Sequence, residues 1–187
     1  MVPKEPDEVY IDNMNNNNNK KSNIYLIGFM GSGKSTVASK LSEEYGYNIV
    51  EMDQAIVEKE GMSINEIFAK NGEEYFRQTE TGLLKEISGM ENMVVSCGGG
   101  VATRDENIRL MKESGKVFLL SAEPETIYER VKDDDSRPLL RGNMNIPYIA
   151  EMIEKRRPMY ERAADVTISV DGKEITEICR EVRSHIQ

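Results

Sequence analysis

The sequence predicts a three-layer α/β/α domain, a central parallel sheet of about five strands with helices on both faces, carrying a helical insertion and a mobile lid. Three observations predict it. Short apolar runs of strand length recur along the chain with helical periodicity between them, and that alternation builds parallel sheets from βαβ units. The runs are apolar at successive rather than alternate positions, as strands buried on both faces require. The first run ends in a glycine-rich turn that opens a helix.

The elements follow in order. Residues 1–22 hold Pro3, Pro6, scattered acids and the run "NNNNNKK", too little apolar surface to offset the entropy of ordering them, and are expected to form a disordered tail. Residues 23–187 are expected to form one domain. "NIYLIGF" is the first strand, followed by a helix with Val37, Ala38, Leu41 and Tyr45 on one stripe. "YNIVEMD" is a second strand closing on acids. The stretch from about 53 to 90 carries helical spacing (Ile56, Met62, Ile64, Ile67, Phe68) without a strong strand, and is the expected helical insertion. "NMVVSCGGG", "KVFLLSA" and "ADVTISV" are the remaining strands. "DDDSRPLLRGNMN" lies between helices around Glu125–Val131 and from Pro147, and marks the lid at about 132–146. The last helix carries Ile175, Ile178, Cys179, Val182 and Ile186.

Bulk composition excludes several functions. A formal net charge of −9 argues against a nucleic-acid partner, which needs a basic face. No run approaches the ~20 apolar residues of a membrane span, and the N-terminus lacks a secretory pattern, so the expected location is cytoplasmic. Cys97 and Cys179 read as buried thiols, and the single histidine, His185, reads as a surface residue. With no sustained heptads, the expected state is a monomer.

In "GFMGSGKST" the pattern G-x-x-x-x-G-K-[ST] is met by Gly28, Gly33, Lys34 and Ser35, between a buried strand and an amphipathic helix. This is a phosphate-binding P-loop. Backbone N–H groups of Gly31, Ser32 and Gly33 and the helix N-terminus would cradle phosphates. Lys34 would bridge the outer phosphates of ATP, Ser35 would place its hydroxyl on Mg²⁺, and Thr36 would add a phosphate contact. The chain is short for a motor domain and has no "NKxD" guanine-reading motif, which leaves a P-loop kinase fold acting on a small molecule.

The acceptor is suggested by a resemblance. "GFMGSGKST", "MDQAIVEKEGMSINEIF", "GEEYFRQTE", "VVSCGGG", "RPLL" and "KRRPMY" stand in the order and approximate spacing of shikimate kinases, from Asn23 to about Val170. Such enzymes phosphorylate the 3-hydroxyl of shikimate with MgATP, in aromatic amino acid biosynthesis. The resemblance implies that Arg77 and Arg156 hold the substrate carboxylate, that Asp53 binds the reacting hydroxyl, and that Arg137 closes over the phosphates. It also implies an adenine-side role for Arg130. Glu80, three residues after Arg77 on one helical face, is placed to orient that arginine. Gly98, Gly99 and Gly100 would allow close approach of the substrate ring. Arg157 reads as a surface neighbour of Arg156. This chain departs from the family at Glu51, where an aspartate is common, and Lys173 receives no role. A gluconate or nucleoside monophosphate kinase and a non-catalytic nucleotide-binding module remain the alternatives at this stage.

Overall fold

The computed structural model describes residues 22–132 and 145–186. Most of the expected tail and lid, Arg137 included, lies outside them. Ser22 departs from the tail assignment: its hydroxyl accepts a hydrogen bond from the Asn92 backbone N–H at 3.1 Å, which ties it to the base of the sheet.

The strands are β1 (Asn23–Ile27), β2 (Asn48–Glu51), β3 (Met93–Ser96), β4 (Gly115–Ser121) and β5 (Val166–Ser169), in the order β2-β3-β1-β4-β5. Every pairing is parallel, with Ile24 opposite Val94 and Lys116. β1 is buried at all five positions, so its residues divide between two cores. Tyr25 and Ile27 join Val95, Val117, Leu84, Met111 and Tyr160 on one face. Ile24 and Leu26 join Val94, Phe118, Leu41, Ile178 and Val182 on the other. That division makes the successive apolar run of the sequence a requirement of the architecture.

On the second face lie α1 (Lys34–Tyr45) and α7 (Ile175–Ser184), each burying the apolar stripe that its 3.6-residue period predicts. Tyr45 departs from its stripe: it is 39% exposed, and its ring lies under the Arg183 guanidinium at 4.9 Å. β2 is an edge strand with Asn48 and Ile49 exposed, so its burial is less complete than its apolar run implies. Both cysteines are buried and unbridged, and His185 is exposed. Burial pushes the Cys179 thiol up to about 11, and the Cys97 thiol further.

The β2-to-β3 connection is helical throughout: α2 (Met52–Glu60), then α3 (Ile64–Ser88). A capping box at Ser63 and Glu66 starts α3, and Gly72, at φ 83°, breaks its helical path into two arms. Only glycine adopts that φ without strain. The first arm packs with α2 around Ile56 and Ile67, joined by Phe76 from the start of the second. The second delivers Leu84 and Ile87 to the main core, so only its upper part stands off the sheet. α4 (Asp105–Ser114), α5 (Pro124–Val131) and α6 (Ile146–Ala163) complete the fold.

The chain changes direction around β1, whose neighbours are β3 and β4. Ligands of open α/β sheets bind in the crevice that such a reversal opens at the carboxyl ends of the strands. The P-loop and the glycine triplet both lie there.

Candidate active site

Gly33, at φ 96°, caps the N-terminus of α1, a left-handed geometry that turns the loop's backbone inward before the helix begins. Lys34 is the first helical residue, and its ammonium donates to the carbonyls of Gly28 at 2.9 Å and Phe29 at 3.1 Å, folding back over the loop. The Arg130 guanidinium, from α5, donates to the Gly31 carbonyl at 3.0 Å and so lies against the same loop. Ser32 is buried, its hydroxyl packed toward Gly28, and its N–H donates to the Phe29 carbonyl at 3.2 Å. Thr36 is exposed.

The Ser35 hydroxyl donates to Glu51 Oε2 at 3.0 Å and lies 3.4 Å from Ser96 Oγ. This places three oxygen-bearing side chains, from α1 and the ends of β2 and β3, beside the P-loop. Glu51 therefore reaches the P-loop serine despite being one methylene longer than aspartate. Among the described residues no cluster of three or more His, Cys, Asp or Glu side chains could hold a metal, so a divalent ion here would rest on few protein ligands.

Across the crevice, the glycines of the triplet make room for different charged side chains. A Cβ on Gly98 would come within 2.6 Å of Asp53 Oδ1 and 2.9 Å of Glu80 Oε1. One on Gly99 would lie 3.0 Å from Arg156 Nη1, and one on Gly100 would overlap the Arg77 guanidinium. The triplet is thus a cradle whose missing side chains let Asp53, Glu80, Arg77 and Arg156 converge on one stretch of backbone.

Arg77 Nη1 donates to Glu80 Oε2 at 2.6 Å, and its other arm reaches Glu73 at 3.3 Å. Glu80 is 1% exposed. Burial pushes its carboxyl above the ordinary 4.5, Arg77 pulls it part of the way back, and neighbouring Asp53 pushes with burial. Burial acts against the charge of Arg77, but Glu80 and Glu73 outweigh it, and the guanidinium is held more firmly protonated. The pair thus secures the arginine while leaving the glutamate in a costly position. Asp53 lies in the first turn of α2, where the helix N-terminus favours a carboxylate. Arg156 stands over the Phe29 ring at 5.6 Å, whereas Arg157 turns outward to pair with Glu154.

Sequence reasoning did not single out Ser96, Phe29 or Tyr160. Tyr160 carried a readable signal, standing four residues after Arg156 on the same helical face. Ser96 and Phe29 carried none, because only strand pairing and loop curvature bring them to the site.

A P-loop on the central strand of a β2-β3-β1-β4-β5 sheet, faced across one crevice by carboxylates and arginines, defines the class: an ATP-dependent P-loop kinase of a small molecule. The family model described as shikimate kinase matches residues 30–187. A shikimate kinase of Persephonella marina is 46% identical over 165 residues, covering 88% of this chain and 99% of that one. A shikimate kinase from Acinetobacter baumannii, solved in complex with shikimate, superposes with a TM-score of 0.81 at 33% identity, over 88% of this chain and 92% of that one. The enzyme from Aquifex aeolicus superposes with a TM-score of 0.73 at 39% identity, over 87% and 94% of the two chains. The chain belongs to the shikimate kinase family.

Proposed function

We propose that the protein transfers the γ-phosphate of ATP to the 3-hydroxyl of shikimate, giving shikimate 3-phosphate and ADP, with the residues gathered on the glycine triplet as the acceptor site. The observation that carries this reading is the convergence of two guanidiniums and a carboxylate on Gly98, Gly99 and Gly100 beside a P-loop. Shikimate bears a carboxylate and ring hydroxyls; Arg77 and Arg156 suit the first, as guanidinium forks bind carboxylates, and Asp53 suits the second. The family membership supports the same substrate.

In this reading the P-loop backbone and Lys34 hold the phosphates of ATP, and Arg130 lies on the nucleotide side of the loop. Arg77, kept charged and oriented by Glu80, clamps the carboxylate with Arg156. Asp53 accepts the proton of the attacking hydroxyl as the new P–O bond forms and the bond to ADP breaks. Arg137, outside the described residues, would meet the charge on the transferred group and exclude water. Positioning and electrostatics supply most of the acceleration in such transfers.

The all-oxygen set of Ser35, Glu51 and Ser96 fits Mg²⁺, a hard cation that keeps several waters. Ser35 would hold it together with phosphate oxygens, and Glu51 would support it from beside that hydroxyl; when bound it neutralises charge on the β- and γ-phosphates. The Glu51→Gln variant is expected to need about tenfold more Mg²⁺ for half-maximal rate, the scale of a lost supporting contact, with shikimate KM unchanged at saturating metal. An unchanged Mg²⁺ titration would remove Glu51 from this role.

The function is tested by ADP release from the purified protein with MgATP and, separately, shikimate, gluconate, a set of nucleoside monophosphates or no acceptor. Turnover with shikimate alone supports the proposal. Turnover with another acceptor and none with shikimate overturns the acceptor site while leaving the P-loop in place. Nucleotide binding without turnover would indicate a binding module.

A further inference from the structure

We propose that Tyr160 is a positioning residue for the shikimate carboxylate, acting through Gly99 and Arg156; this rests on the function proposed above. The Tyr160 hydroxyl donates to the Gly99 carbonyl at 3.1 Å. Its single proton is used there, which leaves its lone pairs to accept from a neighbouring donor. The Arg156 guanidinium is the charged neighbour on that side: burial pushes the phenol up, and the guanidinium's charge draws it down against that push. A Cβ on Gly99 would lie 3.0 Å from Arg156 Nη1 and 3.8 Å from the Tyr160 oxygen, so glycine, guanidinium and phenol form one cluster.

The tyrosine is well placed to hold this cluster. Its ring is 4% exposed and packs in the main core, anchoring the hydroxyl from below. Phe29 carries the guanidinium on its ring face, leaving the tyrosine to fix the guanidinium's in-plane direction. Between the two residues stands Pro158, inside α6. Proline has no N–H to give to the carbonyl four residues earlier, so the helix is loosened where Arg156 must be aimed. The phenol ties that turn of the helix to the triplet. Gly99 is the middle of the triplet, so the same bond steadies the backbone against which Asp53 and Arg77 pack.

The Tyr160→Phe variant keeps the ring and removes the tie. Up to about tenfold higher KM for shikimate is expected, the upper scale of one neutral hydrogen bond, with KM for MgATP within twofold and kcat within threefold. In an Arg156→Lys background, the same substitution should raise shikimate KM less than twofold further, because its effect passes through the arginine. Should the phenylalanine variant fold poorly, Gly99→Ala, which crowds Arg156 directly, is expected to show the same shikimate-selective loss. Parallel changes in both KM values, no change in shikimate KM, or full additivity with Arg156→Lys would overturn the inference while leaving the wild-type reading intact. A wild-type protein without shikimate-dependent turnover would overturn the site reading, and this inference with it.

Discussion

The Asp53→Asn variant is expected to lose about 10²–10⁴ of kcat, the range for removal of a general base, while shikimate and MgATP bind within a few-fold of wild type. Asparagine matches the aspartate in size and can still bond the hydroxyl, but it cannot take the proton. The neighbouring carboxyl cannot substitute, because Glu80 is buried and held by Arg77 at 2.6 Å. Position matters as much as charge: Asp53 lies against Gly98, so an amide there fills the same space without disturbing the triplet. Steady-state rates and separate equilibrium binding of each substrate provide the check. A kcat loss below about fivefold would reduce Asp53 to an orienting contact.

Arg77→Ala is expected to lower kcat/KM for shikimate by at least about 10² and to destabilise the fold by about 3 kcal/mol at neutral pH, the scale for breaking a buried pair from one side. Two effects combine. One arm of the proposed carboxylate clamp is lost, and Glu80, 1% exposed, keeps its burial without its counter-charge. The second effect has a pH signature. Burial already raises the Glu80 carboxyl above its ordinary 4.5, so the folded chain holds that proton to higher pH than the unfolded chain does. Stability from this group is therefore greatest below about 4.5 and declines as pH rises through the raised folded value. Removing Arg77 takes away the pull toward ionisation and widens that window upward. Thermal melts across mild acid to neutral pH should show a deficit that grows with pH. Adding Glu80→Gln should recover most of the stability and none of the shikimate affinity. A deficit independent of pH would show that Arg77 supports the fold by packing rather than by balancing Glu80.

Sequence legibility varied from element to element, for physical reasons. β1 and β3 were plain because a strand covered on both faces must be apolar throughout. β2 was less plain: as an edge strand it exposes Ile49, and its apolar run overstated its burial. The α2–α3 stretch read as an insertion by its period, but the period could not show that Gly72 divides α3 or that its second arm returns to the core. Tyr45 fell on the apolar stripe of α1, yet it stacks under Arg183 from the C-terminal helix, a long-range contact that local periodicity does not register.

What the sequence determined alone is the P-loop, the layered α/β/α order and the family, because each rests on local spacing: a strand, a turn with the right glycines, and a helix. Arg77 and Glu80 belong with these, being neighbours on one helical face. Only the tertiary structure decided that Gly98, Gly99 and Gly100 admit different charged groups, that Glu51 reaches Ser35, and that Tyr160 donates to Gly99 beside Arg156. Those contacts join elements tens of residues apart. Their existence depends on strand order and on how helices seat against the sheet, and burial, which sets the charge balance of Glu80, is a property of the packed whole.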